Sequence, residues 1–357
     1  MEKKRWNKTA KNNAVTYGIV IVFWIVMTLW RQSGNLSSLL QGLLVPVCIY
    51  AIMAVSLNLT VGILGELSLG HAGFMCVGAF ASAFFTQCMT EAIPFVPLRF
   101  ALAIIVAALF AAVFGVIIGI PVLRLQGDYL AIVTLAFGEI IKNFVNILYI
   151  GRDSRGLHFS IRDTLSLGLE EDGVVIIKGP QGITGTSRDA TFTIGIILLL
   201  ITLFIVLRLI QSRDGRAIKA IRDNQIAAES VGINITKYKL MAFTISAALA
   251  GVAGALYSHN LSSLTATSQN FGYNMSIMIL VYVVLGGIGS IRGSMIAAAI
   301  LTVLPELLRG LSDYRMLIYA IILIVAMLLN WAPAALAFRE KYSLKRLLGK
   351  NKAKGVE

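Results

Sequence analysis

Ten runs of continuously apolar sequence constrain this chain more than any other feature, at 15–30, 39–61, 70–89, 100–123, 129–150, 192–210, 240–257, 274–289, 294–308 and 314–331. None alternates as a half-buried strand does, and inside a bilayer each segment must pair its own backbone groups, so every run is assigned as a helix. With 57% of its 357 residues hydrophobic and 14% charged, the chain holds enough apolar sequence for about ten spans of about 20 residues. Globular domains are nearer to 45–50% apolar. The composition excludes a soluble enzyme, a disordered chain and a coiled coil. The expected fold is all-α, a polytopic membrane protein of about ten transmembrane helices.

The net charge of +13 would suit nucleic acid only if the bases shared one face of a folded domain. Instead they cluster beside apolar runs, net +4 over 1–11, +3 over 211–239 and +5 over 339–357. Ten spans with a cytoplasmic N-terminus put all three clusters inside together, and nine or eleven put one on the wrong side. The long 151–190 loop, net −1, then lies outside. The organisation expected is a cytoplasmic tail (1–14), a transmembrane domain (15–338) with a cytoplasmic loop at 211–239, and a basic cytoplasmic tail (339–357). Nucleic acid is not a partner; the lipid bilayer is. The first run follows a basic stretch, but Trp30-Arg31-Gln32-Ser33-Gly34 offers no small-residue cleavage site, so it reads as a retained span.

Small residues spaced by four let helices approach closely in lipid. Gly115 with Gly119, Ala247 with Gly251 and Ala255, and Ala250 with Gly254 supply the pattern, for packing within the bundle or against another subunit. Pro46, Pro121 and Pro305 fall in or near spans. Cys48, Cys76 and Cys88 lack metal-ligand spacing and read as buried thiols. His71, His158 and His259 have no second ligand at metal spacing, and no Gly-rich loop with a following Lys cradles phosphate. The chain is therefore expected to be no enzyme, to bind no metal or cofactor and not to hydrolyse ATP itself.

Three segments carry polar chemistry. In 212–238, Arg216, Lys219, Arg222 and Asp223 fall opposite Ala217, Ile218 and Ile221 on one helix, with Asp214 able to cap its start. Asp223 or Asn224 can cap a second helix through Ala227, Ala228 and Glu229, which Gly232 would end. Such a pair is either built to dock on another protein or an ordinary solvated connector. In 62–78, five glycines surround Glu66, Ser68 and His71, so the helix can break there to line a solute pathway or make a tight turn. The Gly-rich 286–293 stretch has a similar character. Glu139 and Lys142, neighbours on one helix face, either pair with each other or wall a hydrophilic path.

The runs SLNLTVGILGELSLGHAGFMCVGAF, GDYLAIVTLAFGEIIKNFVNIL, GPQGITG, GRAIKAIRDNQIAAESVGINITKYKLMAFTISAALAGVAGALY and GGIGSIRGSMIAAAIL, in this order, cover most of 56–300. Together they resemble the branched-chain amino acid ABC transporter permeases of the LivM type. The resemblance implies an importer permease bundle in the bacterial inner membrane, moving Leu, Ile and Val. It implies a second homologous permease, two cytoplasmic ATPase subunits that use ATP and Mg, and an extracytoplasmic binding protein. The 212–238 segment becomes the coupling region, with Arg216, Arg222, Ala227, Ala228, Glu229 and Gly232 at the ATPases; Ala-Ala-Glu stands where importers generally carry Glu-Ala-Ala. The turn-rich stretch around Gly179, Pro180, Gly182 and Gly185 would help to receive the binding protein. Glu66, Ser68, His71 and Glu139 are the candidate pathway residues, chosen as polar groups in apolar surroundings. Urea or another small solute, an ion-coupled secondary transporter and a channel subunit are the alternative functions.

Overall fold

A helix answers each of the ten apolar runs. The structure, a computed structural model, describes residues 8–34, 37–125, 127–170 and 173–331. The C-terminal basic tail lies outside these residues, as does most of the N-terminal cluster. The helices are α1 (Lys8–Gln32), α2 (Ser38–Asn58), α3 (His71–Cys88), α4 (Val96–Val122), α5 (Asp128–Ile147), α6 (Phe192–Gln211), α7 (Arg213–Asp223), α8 (Gln225–Ser230), α9 (Ile235–Ser258), α10 (Tyr273–Gly286), α11 (Ile291–Leu307) and α12 (Arg315–Trp331). Among the described residues seven helical stretches are long and apolar enough to cross a membrane. The helices of the other three runs, α3, α10 and α12, have 18, 14 and 17 residues. The chain divides into two compact units, 1–302 and 303–357.

In the first unit α2 runs through the middle, apolar on all sides because nearly every face from Leu44 onward is buried. Against α4, α9 packs through small residues. The α4 face carrying Ala103, Ala107, Ala111 and Gly115 is buried, whereas Ile105, Leu109, Val113 and Ile117 are exposed as a lipid face would be. A Cβ at Gly251 would stand 2.6 Å from the Ala107 carbonyl oxygen, and one at Gly254 only 2.2 Å from that of Met75 on α3. The spaced small residues thus bring three helices into backbone contact inside the chain. Pro46, Pro121 and Pro305 all lie within helices. All three cysteines are buried and free.

The loop after α5 departs from an all-α chain. It holds an antiparallel sheet in the order β2-β1-β3, made of β1 (Tyr149–Asp153), β2 (Gly156–Ser160) and β3 (Val174–Lys178). Further on, β4 (Ile183–Thr184) pairs with β5 (Ser263–Leu264) beyond α9. Strands of five residues or fewer, broken by glycine, show too little period to be read from sequence. Asp153 closes the β1–β2 turn by accepting hydrogen bonds from the Arg155 and Gly156 amides at 2.8 and 3.1 Å. Burial works to raise its pKa, but these bonds and His158 outweigh it and hold the carboxyl below its ordinary value. Arg152 anchors the sheet to the end of α3, donating to the Cys88 carbonyl at 2.7 Å.

In the second unit a 3-10 stretch, Leu308–Tyr314, leads into α12. Arg309 pairs with Glu306 at 2.9 Å.

Candidate functional site

Between α6 and α9 the chain leaves the apolar bundle to form α7 and α8. Ser212, not Asp214, caps α7, its hydroxyl accepting from the Gly215 amide at 3.0 Å; Asp214 sits in the first turn instead. Gly215 is needed for close approach, since a Cβ there would meet the Leu209 carbonyl oxygen at 2.1 Å. Asn224 caps α8 by accepting from Ala227 at 3.0 Å. Gly232, at φ +83°, ends it.

The inner face of α7 seats on the end of α2. Ile218 and Ile221 are buried, and Ile218 clusters with Leu59, Ile63, Leu64 and Ala242. Leu59–Leu64 is a π-helical turn that closes at Gly65, φ +84°. Arg222 lies over that closure: a Cβ at Gly65 would come 2.6 Å from its Cγ, and its guanidinium donates to the Gly62 carbonyl at 3.1 Å and to Asp223 at 2.7 Å. Lys239, buried at the start of α9, pairs with Glu66 and donates to Gln225 of α8 at 3.2 Å. The broken end of α2, both short helices and α9 thus form one hydrogen-bonded corner. Its outer face is open, with Arg216, Ala227, Glu229 and Gly232 exposed beside Ile226 and Val231, which are 81% and 74% exposed. Ala228 alone of the short motif is buried.

The two glycine-rich breaks meet. Asn58, fully buried, accepts from the Gly289 amide at 2.9 Å and donates to Ser294 at 3.0 Å. A Cβ at Gly62 would lie 2.3 Å from the Gly289 nitrogen. Leu69 donates to Thr134 of α5 at 3.0 Å, and Ala72 to Ser276 of α10 at 3.1 Å.

Of the four candidate pathway residues, Glu66, Ser68 and His71 belong to the break between α2 and α3, and Glu139 stands on α5. Glu66 belongs to the corner just described. Ser68 is buried, its hydroxyl without a hydrogen-bond partner among the described residues. His71 is closed in against Ser56 at 2.7 Å and the Phe74 ring. Glu139 pairs with Lys142 and caps α10, accepting from the Tyr273 amide at 2.7 Å, while Lys142 donates to Ser268 at 2.8 Å. Among the described residues no hydrogen bond joins any two of the four. Sequence reasoning missed Lys239 and Gln225, because a flanking base and a loop amide carry no period, and it missed the exposed Ile226 and Val231, whose signal is an apolar residue in a polar loop. Among the described residues no group of three or more His, Cys, Asp or Glu side chains stands where it would hold a metal.

Apolar helices packed through glycine, with exposed aliphatic outer faces and a separate polar corner, define a multi-pass membrane protein. The model of the branched-chain amino acid transport system permease component family matches residues 39–327. Over 319 residues the chain is 36% identical to the high-affinity branched-chain amino acid transport system permease protein LivM of Salmonella typhimurium, covering 87% of this chain and 72% of that protein. LivM of Escherichia coli gives the same figures, and LivH of Salmonella typhimurium is 25% identical over 263 residues, 72% of this chain and 81% of that protein. No solved structure matches. The chain belongs to the family of permease components of branched-chain amino acid transport systems.

Proposed function

We propose that this chain is the membrane-spanning permease subunit of an ATP-driven importer for leucine, isoleucine and valine in the bacterial cytoplasmic membrane, with both termini cytoplasmic. The α7–α8 corner carries the reading. It is seated through Ile218 and Ile221, tied by Arg222 and Lys239 to the break between α2 and α3, and presents exposed Ile226, Ala227, Glu229 and Val231 outward. Two partner ATPase subunits, using ATP and Mg, would push on that face, and their closure would pass through α7 to α6 and α9. A second homologous permease completes the membrane part, and an extracytoplasmic binding protein delivers solute at the β1–β3 sheet. The chain itself is a transport subunit with no catalytic site.

Affinity purification of the tagged chain from native membranes in mild detergent tests the assembly, and uptake of labelled leucine with urea as competitor tests the solute. ATPase subunits and a second permease are expected to copurify, with leucine uptake indifferent to urea. A chain recovered alone that still transports would discard the coupling assignment, and displacement by urea would reassign the solute.

A further inference from the structure

At the end of α9 remote from α7 and α8, a cavity of about 140 Å³ opens between the end of α3, the start of α4 and the segment after β4. The 24 residues of α9 separate it from the polar corner by about 36 Å at about 1.5 Å per residue. An engineered apolar cavity of about 150 Å³ accepts benzene, so this one suits a small organic molecule.

Most of the side-chain donors in its walls are engaged within the protein. His259 is oriented by the Ala255 carbonyl, 2.9 Å from Nδ1; that oxygen only accepts, so Nδ1 carries the proton. In the neutral ring Nε2 then receives the Thr86 hydroxyl at 2.9 Å. Thr90 donates to the Thr86 carbonyl at 2.7 Å, Gln87 to the Thr184 carbonyl at 2.9 Å and Ser187 to Asp189 at 2.7 Å. Thr186 donates to the Leu261 carbonyl.

Arg99 is the exception. It lines the cavity, is 6% exposed, and its buried Nε–H has no hydrogen-bond partner among the described residues. Its only protein acceptor among the described residues is the Ile93 carbonyl, at 3.5 Å from one terminal nitrogen. No carboxylate of the described residues stands within ion-pairing distance of it; Asp189 is engaged by Ser187. A guanidinium taken out of water without an anion is unfavourable, and its planar fork matches a carboxylate bidentately.

We infer that this cavity binds the carboxylate of a small organic acid on Arg99. Resting on the permease reading, that acid is the transported amino acid held by its α-carboxylate at the extracytoplasmic end of the chain.

The test is equilibrium binding of radiolabelled L-leucine to the full chain in nanodiscs, with isocaproate and leucinamide as competitors. Isocaproate, which keeps the carboxylate and lacks the amine, is expected to displace leucine; leucinamide, which lacks the carboxylate, is not. This order is read on the unaltered chain and needs no variant to fold. Arg99→Gln is expected to weaken binding by about 10- to 100-fold, the worth of a charged hydrogen-bond partner, and Arg99→Lys, which keeps the buried cation, to lose less. Equal displacement by leucinamide, or undiminished binding in folded Arg99→Gln, overturns the inference. So does loss of binding-protein docking in Arg99→Gln with leucine binding intact, which would give the cavity to an acidic side chain of that protein. Cells that import leucine through a chain that binds neither leucine nor isocaproate would overturn the site and leave the permease reading standing. Isocaproate binding that depends on Arg99, in a system that imports no leucine, would keep the carboxylate site and discard the permease reading.

Discussion

Gly232 and Lys239 hold the α7–α8 corner by different means. Gly232 has open space around it, so a side chain there strains only the left-handed backbone, at about 1–2 kcal/mol. Gly232→Leu is therefore expected to insert and fold but to uncouple ATP hydrolysis from uptake, measured together in proteoliposomes; unimpaired uptake would remove Gly232 from coupling. Lys239 is buried with Glu66 as its partner. Lys239→Met leaves a shielded carboxylate without a cation and is expected to lower stability by about 3–5 kcal/mol. Adding Glu66→Gln should return much of that loss. Thermal unfolding of both variants checks this, and a Lys239→Met protein that melts like the parent would mean the pair carries no stability.

The amphipathic α7 is fixed from within and open from without. Ile218 is fully buried, so Ile218→Ala is expected to cost about 2–4 kcal/mol and loosen the helix. Ile226 and Val231 touch little of this chain, so Ile226→Asp with Val231→Asp should change its stability by no more than about 0.5 kcal/mol for each site. Copurification of ATPase subunits should nevertheless fall; a full yield would place their docking elsewhere. The helices themselves were legible in the sequence, because spans must be continuously apolar and caps such as Asn224 and Gly232 work through local geometry. The pairs were not. Lys239 reads as one flanking base among several, Arg99 as a charge beside the fourth run, and Asn58 as an interruption of the second. The roles of Lys239 and Asn58 depend on residues 173 and 231 positions away, and that of Arg99 on a cavity with no sequence pattern.

Across the bundle, glycine sets how near α3, α4 and α9 stand. Gly254→Leu would drive a side chain into the Met75 carbonyl, and overpacking of this kind costs about 1–3 kcal/mol or more. Gly18→Leu on α1 meets nothing within 4 Å. Size-exclusion profiles in detergent are expected to show aggregation of the first variant and a monodisperse second; identical profiles would mean the contact yields freely. The close fit has a thermodynamic corollary. One uninterrupted helix carries Lys239 near its start, and His259 closes its far end. If a partner favours one tilt of α9 over another, an occupant beside His259 must feel the same bias. The free energy by which either ligand changes the affinity of the other is then a single quantity, readable from both ends of the rod.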